Sequence, residues 1–358
     1  MRSQVSKIAV LTLALLLLFT GCSGQGNQGA QTPPPSQTSS TGEIDISTVQ
    51  TNISLGTATT GTSASVVGMA VAEIINKHYP NVRVTAMPTQ GSNENMNLLA
   101  QGELDMGICN SDTLWNAYNG KGNYPNAIQM YQVMTTHANQ SFYVTLERTG
   151  ITELAGIAGY TISVGAVGSG GYDSVFTKLN AIGLWDAINR VNLEYTDAAE
   201  AMRDGTVDGM NAYCSSYSPV SFLAELDSTR DDVVILGFSQ EQFDAIKANE
   251  PYVTKVILTK ENTGLRSMVE GQEYITAANS GHFVCRPDLS EEAVYAFVKA
   301  FYENAEEMDS YHTIGKTIRL ETALKGACPG VPVHPGAARY FQEAGVWDDS
   351  LTIGEIVP

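Results

Sequence analysis

Residues 53–112 read ISLGTATTGTSASVVGMAVAEIINKHYPNVRVTAMPTQGSNENMNLLAQGELDMGICNSD, and the spacing within them decides the fold. Ile53-Ser-Leu-Gly56 is a short apolar strand, followed over 57–65 by a turn of Thr, Ser and Gly. Val67, Val71, Ile74 and Ile75 then fall on one face of a helix that ends near His78 and Pro80. Residues 82–86 form the next strand, and Ser92 is placed to cap a helix carrying Met96, Leu98 and Leu99. Gly102-Glu-Leu-Asp105 turns the chain into a strand over 106–109.

The same order returns further along. Residues 160–164 form a strand, 165–171 a Gly-rich turn, 174–182 a helix, 191–195 a strand and 198–203 a helix. Gly205-Thr-Val-Asp208 then leads into residues 209–213. The phrases LLAQGELDMGI and AMRDGTVDGMN begin at Leu98 and Ala201, 103 residues apart, in matching places of the two copies. Strands alternating with helices imply mainly parallel α/β sheets. Between the copies, residues 130–134 and 141–146 are extended and suited to cross from one to the other; residues 282–285 are a second crossing. Ser290 caps a helix with Val294, Phe297, Val298, Phe301, Ala305 and Met308 on one face, and Glu291 and Glu292 suit its positive end. The expectation is two α/β lobes around a ligand cleft, joined by two hinge crossings. Lobe 1 covers 47–138 and returns, with C-terminal helices, over 283–358; lobe 2 covers 139–282.

The start of the chain reads differently. Arg2 and Lys7 precede an apolar run over 8–19, and Thr20-Gly21-Cys22 closes it. A basic start, an apolar core and small residues before the cut define a secretory signal over 1–21. Small residues directly before a cysteine resemble a bacterial lipobox, with lipid carried on Cys22. Residues 22–46 then form the anchor and a flexible linker rich in Gly, Gln, Ser, Thr and Pro. The protein is expected outside the cytoplasm, held to the cell membrane by this anchor, in the periplasm or on the outer face. The net charge of −18, from 20 Lys+Arg against 38 Asp+Glu, argues against a nucleic-acid partner, which needs a basic stripe. Cys109, Cys214, Cys285 and Cys328 show no CxxC and no metal-ligand spacing; three disulfide pairings and free buried thiols all stay open.

In open α/β sheets, ligands bind beyond the carboxyl ends of the strands, which puts the turns at 57–65, 88–93, 109–113 and 167–172 around one cleft. They carry Thr57, Thr59, Thr60, Thr62, Ser63, Gln90, Ser92, Asn93, Asn110, Ser111, Ser169 and Tyr172, and no basic residue. Three precede helices, so free backbone N–H groups can hold a carboxylate without Arg or Lys. Asp112 and Asp173 are nearby acids able to take an ammonium group, so a zwitterion suits the cleft better than a dianion. Taken singly, Ser and Thr before helices are usually caps, and Gly in turns usually serves backbone geometry. Catalytic signatures are poor: the five His are isolated, there is no G-x-S-x-G, and Gly315-Lys316-Thr317 lacks the first Gly of a phosphate loop. No catalytic residue, metal or cofactor is assigned.

These residues resemble a family. Thr60-Gly61, Ala72-Glu-Ile-Ile-Asn76, Gly91-Ser-Asn-Glu-Asn95, Gly102-Glu-Leu-Asp105, Asn110-Ser-Asp112, Gly168-Ser-Gly170 and the closing Val333-His-Pro-Gly-Ala-Ala-Arg-Tyr-Phe341 occur in an order similar to that of the TAXI proteins, solute receptors of one branch of TRAP transporters. The resemblance implies a periplasmic-binding-protein fold of type II, no catalytic role, and capture of a small amino acid or organic acid for a TRAP permease in the membrane. Residue by residue it points to Thr57, Thr60, Ser63, Gly91, Ser92, Asn93, Ser111, Asp112, Gly168, Ser169 and Gly170 as ligand-binding. Ala58, Thr59 and Thr62 replace family glycines, and Ala64 and Ser65 stand where aromatics are usual; either the pocket is wider there, or Tyr172 or Tyr213 fills the place of the lost aromatic wall. An ABC-type receptor, a sensor-coupled receptor and a bilobed hydrolase or lyase are the alternatives.

Overall fold

The computed structural model describes residues 44–357. In chain order the first part forms β1 (Thr51–Gly56), α1 (Ser63–His78), β2 (Val82–Met87), α2 (Ser92–Gln101), β3 (Met106–Asn110), α3 (Ser111–Asn119) and β4 (Tyr131–Leu146). There follow β5 (Thr161–Ser163), α4 (Gly170–Ala181), β6 (Asn189–Val191), α5 (Tyr195–Arg203), β7 (Gly209–Ser215), β8 (Ser218–Pro219), α6 (Ser221–Thr229) and β9 (Val233–Leu236). The remainder is α7 (Gln240–Asn249), β10 (Thr254–Leu258), α8 (Lys260–Thr263), β11 (Tyr274–Cys285), α9 (Glu291–Tyr302) and α10 (Pro335–Glu343). The leader, Cys22 and most of the tether lie outside the described residues. Ile46, read as the end of the linker, is buried in a core instead.

The strands form one sheet in the order β2-β1-β3-β11-β4-β7-β5-β6, with β9 also on β4 and β10 on β11. Two halves are visible in that order. In the first, β2-β1-β3 are parallel, β11 follows antiparallel, and β4 closes the row. In the second, β6-β5-β7 are parallel, β4 follows antiparallel, and β9 closes it. Each half thus has strands in the order second, first, third, returning strand, fourth, and this doubled order is the type II periplasmic-binding-protein topology. The two extended runs read around 130–146 are a single strand, β4, which pairs with β11 up to Asn139 and with β7 from Asn139 onward. Likewise β11 begins on β10 and ends between β3 and β4.

The repeated phrases have a physical reason. Asp105, just before β3, accepts from Ser54 N (2.9 Å) and Ser54 Oγ (2.8 Å) of β1. Asp208, just before β7, accepts from Thr161 N (2.9 Å) of β5. Each carboxylate fixes the third strand of its half beside the first. An arginine at the end of a shared strand completes each knot: Arg286 after β11 lies 3.3 Å from Asp105, and Arg148 after β4 lies 3.4 Å from Asp208.

Three apolar clusters hold the sheet's helices. One joins α1, β1 and β2 to α9, α10 and the ends of β4 and β11, so the first half is built from both ends of the described chain. A second gathers α5, α6, β7 and β9. The third runs from α2 and α3 to α4 and α7 and so belongs to both halves. The His334-Pro-Gly-Ala phrase serves packing: His334 caps α10, and a Cβ on Gly336 would stand 2.1 Å from Glu291 O of α9. All four described cysteines are free and buried.

If the two knots are equivalent, Asp105→Ala and Asp208→Ala will each lower unfolding free energy by about 1–2 kcal/mol in urea melts. Double-mutant cycles should show coupling of about 0.5 kcal/mol or more between Asp105 and Arg286, and none between Asp105 and Arg148.

Candidate functional site

A cavity of about 130 Å³ lies where the carboxyl ends of the parallel strands of both halves meet. From the first half it receives the turn before α1, with Ser63 and Ala64 of α1; Gln90, Gly91 and Ser92 at the start of α2; and Cys109 and Asn110 at the end of β3. From the second half come Ser169, Gly170, Gly171 and Ser174 of the α4 entry, Glu194 and Tyr195 at the start of α5, and Asn211 and Tyr213 of β7. The floor is made by the shared strands, through His137, Asn139 and Ser141 of β4 and Asn279 and Gly281 of β11.

Among the helices that begin at this cavity are α1, α2 and α4. α1 is capped by Thr62, whose side chain accepts from Ser65 N, and α4 by Ser169, whose Oγ accepts from Tyr172 N (3.1 Å). The caps leave the first amides of each helix, Ser63 and Ala64 or Gly170 and Gly171, with no carbonyl one turn back to bond. α2 starts differently from expectation. Gly91 is its cap, in a left-handed conformation (φ 107°), and Ser92 is its first residue. Ser92 Oγ is occupied by Asn110 N at 3.2 Å, which ties the α2 turn to the end of β3.

The floor amides are interlocked. Asn211 donates to Ser141 Oγ and Phe142 O, both 2.9 Å, and accepts from the Tyr195 hydroxyl at 3.3 Å. Asn139 accepts from Ser215 Oγ at 2.9 Å, and Ser215 lies 3.0 Å from Ser63 Oγ, a direct contact between halves. Asn279 donates to Asp112 (2.9 Å) and to Ser174 Oγ (3.2 Å) and accepts from Lys178 (3.4 Å). Lys178 and Asp112 are both fully buried behind this wall. Burial pushes the Asp112 carboxyl up, with the Lys178 charge opposing, and pushes the Lys178 ammonium down. His137 is neutral at ordinary pH, because burial lowers its imidazole to about 4. Among the described residues, Glu194 is the charged side chain of the wall, and it is exposed at the rim.

Of the residues assigned to ligand binding from the sequence, Ser63, Gly91, Ser92, Ser169, Gly170 and Tyr213 line the cavity, as do Thr59, Thr62, Gln90 and Asn110 of the same turns. The others do not. Thr57 is buried, its hydroxyl donating to Met87 O at 3.0 Å; Thr60 is exposed on the turn. Asn93 and Gly168 meet each other at 3.3 Å outside the wall. Ser111 faces β11 through Ser280 and His282, Asp112 is capped by Asn279, and Tyr172 packs edge-on against Trp185 at 5.8 Å. Of the two candidate aromatics, Tyr213 is in the wall, with Tyr195 edge-on to it at 5.4 Å and Phe222 stacked behind Tyr195 at 4.8 Å. The sequence reading missed His137, Asn139, Ser141, Asn211 and Asn279, polar side chains carried on β4, β7 and β11. The largely polar run 135–141 inside β4 and Asn279-Ser280 inside β11 are the signal that could have found them.

Ser111 Oγ lies 2.9 Å from His282 Nε2, a distance seen in hydrolytic dyads. The pair has the wrong surroundings for that chemistry. Ser111 Oγ is already engaged with Ser280 N and O, both side chains are fully buried outside the cavity wall, and His282 Nδ1 has no partner among the described residues to orient the ring. Burial also lowers the His282 imidazole to about 3. Among the described residues, no group of three His, Cys, Asp or Glu is placed to hold a metal.

Two α/β halves closing on a polar cavity define the periplasmic-binding-protein class. The chain belongs to the NMT1-like family, whose model matches residues 55–345. Similar solved structures include the periplasmic aliphatic sulphonate binding protein SsuA of Escherichia coli, with 12% identity over 74% of this chain and 78% of that one and a TM-score of 0.44. An ABC uptake transporter substrate binding protein of Streptococcus pneumoniae, with bound histidine, has 14% identity over 75% and 92% and a TM-score of 0.43. A putative L-cystine ABC transporter protein of Listeria monocytogenes has 10% identity over 76% and 98% and a TM-score of 0.45.

Gly170 is a close approach between the halves that only a glycine fits: a Cβ there would stand 2.7 Å from Ser92 Oγ and 2.9 Å from Asn110 Nδ2. Gly170→Ala is therefore expected to hold the halves apart. Calorimetric titration should show at least about a tenfold loss of affinity for any solute that stabilises the parent chain, while the solute-free melting temperature moves little.

Proposed function

We propose that this protein is an extracytoplasmic solute receptor that captures a small carboxylate-bearing solute, an amino acid or organic acid, and delivers it to a membrane permease of the TRAP type. The observation that carries this reading is the convergence of the α1, α2 and α4 N-termini, from both halves, on one cavity. Free amides at helix starts bind an anion without a lysine or arginine, and none lines this wall among the described residues. A solute bridging both halves favours their approach, which is the event a permease reads.

Glu194 at the rim and the absence of a basic side chain in the described wall favour a solute of low net charge over a dianion. The Tyr195 and Tyr213 rings offer an apolar and hydrogen-bonding wall for the rest of the molecule. The leader and Cys22 support placement outside the cytoplasm on a lipid anchor, and the ordered motifs support the TRAP-type partner. No described helix is long and apolar enough to cross a membrane.

The test is mass spectrometry of small molecules released from natively purified protein, followed by thermal shift with each candidate. One intact carboxylate should raise the melting temperature with its concentration, about 2.7 kcal/mol of stabilisation at a hundredfold excess over Kd. Consumption of the compound, abolished by one cavity substitution that leaves binding intact, would overturn the receptor reading. Uptake by membranes carrying the cognate permease should follow an ion gradient; dependence on ATP would overturn the TRAP assignment alone.

A further inference from the structure

Asp173 sits in the first turn of α4, and the first half of the sheet closes over it. Its side chain is buried. One carboxylate oxygen accepts from Asn93 Nδ2 of α2 at 2.8 Å, the other from Asn123 Nδ2 of the α3–β4 segment at 3.2 Å. Asn93 is itself fixed across the cleft, donating to Gly168 O at 3.3 Å and accepting from the Tyr124 hydroxyl. An acid of the second half is thus gripped by two amides of the first, at the edge of the cavity but outside its wall.

Among the described residues, no cation is paired with it. The titratable groups facing Asp173 are the buried Asp112 of α3, a like charge, and the Tyr124 phenol, which burial and the neighbouring acids push up. Lys178, further along α4, is held by Ser174 and Asn279 and serves the fields of Asp112 and Glu250. Neutral amides are a poor replacement for water around a carboxylate, but they remain good partners for a neutral carboxyl, whose carbonyl oxygen still accepts.

We propose that Asp173 is a proton-sensitive latch: when the two halves approach, this carboxyl takes up a proton, and mild acid therefore favours the closed arrangement. The sign follows from linkage. Closed, burial raises the carboxyl to about 6, with the Asp112 charge adding and the Asn93 and Asn123 hydrogen bonds opposing. Open, it returns towards its ordinary value of 3.8. The closed form binds the proton more tightly, so closing is hindered above about pH 6 and the hindrance fades as pH falls towards 4. The two values correspond to a closed-to-open ratio that rises about tenfold from pH 7 to pH 5.

The experiment uses the whole chain without solute, carrying a distance-probe pair at Ala100 of α2 and Ala187 after α4, both exposed. The ratio of short to long distances is expected to rise about tenfold between pH 7 and pH 5. In Asp173→Asn, which cannot ionise and keeps one acceptor oxygen for the facing amides, the ratio should be independent of pH; in Asn93→Ala it should fall at both pH values. A carbon-13 titration of the Asp173 carboxyl in the unaltered chain should give a midpoint well above the ordinary value. A distance distribution that does not move with pH, a response that persists in Asp173→Asn, or a midpoint at the ordinary value overturns the proposal. Because no solute is added, these readings are separate from the receptor reading, which fails instead if no solute binds.

Discussion

Two antiparallel strands, β4 and β11, run through both halves of the sheet, and the rest of the structure depends on that sharing. β4 changes partners at Asn139, and there its midpoint opens onto the cavity through His137, Asn139 and Ser141. The backbone there is satisfied by the ladder, so side chains alone decide what the floor presents. Asn139, Asn211 and Asn279 fill it with amides bonded to one another's neighbours, a polar layer that costs little only because nearly every donor and acceptor has a partner. The helices then need only begin at the strand ends to aim their first amides at the same space.

Much of this frame is legible in the sequence. Asp105 and Asp208 repeat because each performs a local task, closing its own half's first and third strands, and a local task leaves a local pattern. Apolar spacing likewise finds α1 and α9. The site is less legible, for two reasons. On the turn before α1, Ser63 faces the cavity, whereas Thr57 turns back to β2 and Thr60 outward; composition alone does not distinguish directions. In the floor, Asn139 and Asn279 lie more than a hundred residues apart and become one surface only through strand pairing. Ser92 is instructive in between: the helix is where the spacing puts it, but the serine bonds β3, and a glycine in a left-handed conformation starts the helix.

The acids around the cleft show how burial separates roles that charge alone would merge. Asp112 and Asp173 both read as partners for an ammonium group. In the fold Asp112 is enclosed with Lys178 behind Asn279, a supporting group for the wall, while Asp173 is stripped of water by amides from the opposite half. Neither touches the cavity. The exposed Glu194 does, as the first residue of the α5 entry, and its position there comes from the turn after β6 and not from any acidic motif.

The first half draws its core from both ends of the described chain, with α1, β1 and β2 packed on α9 and α10, whereas the second half is contiguous. This has a consequence for how the molecule assembles during synthesis. The second half has all its own strands once β10 has emerged, apart from the lead-in of β11. The first half, though made earlier, lacks the helices that cover α1 until the end of the chain is available, and its closure spans nearly the whole sequence. The core of the first half can therefore be completed only after the chain of the second half has been made.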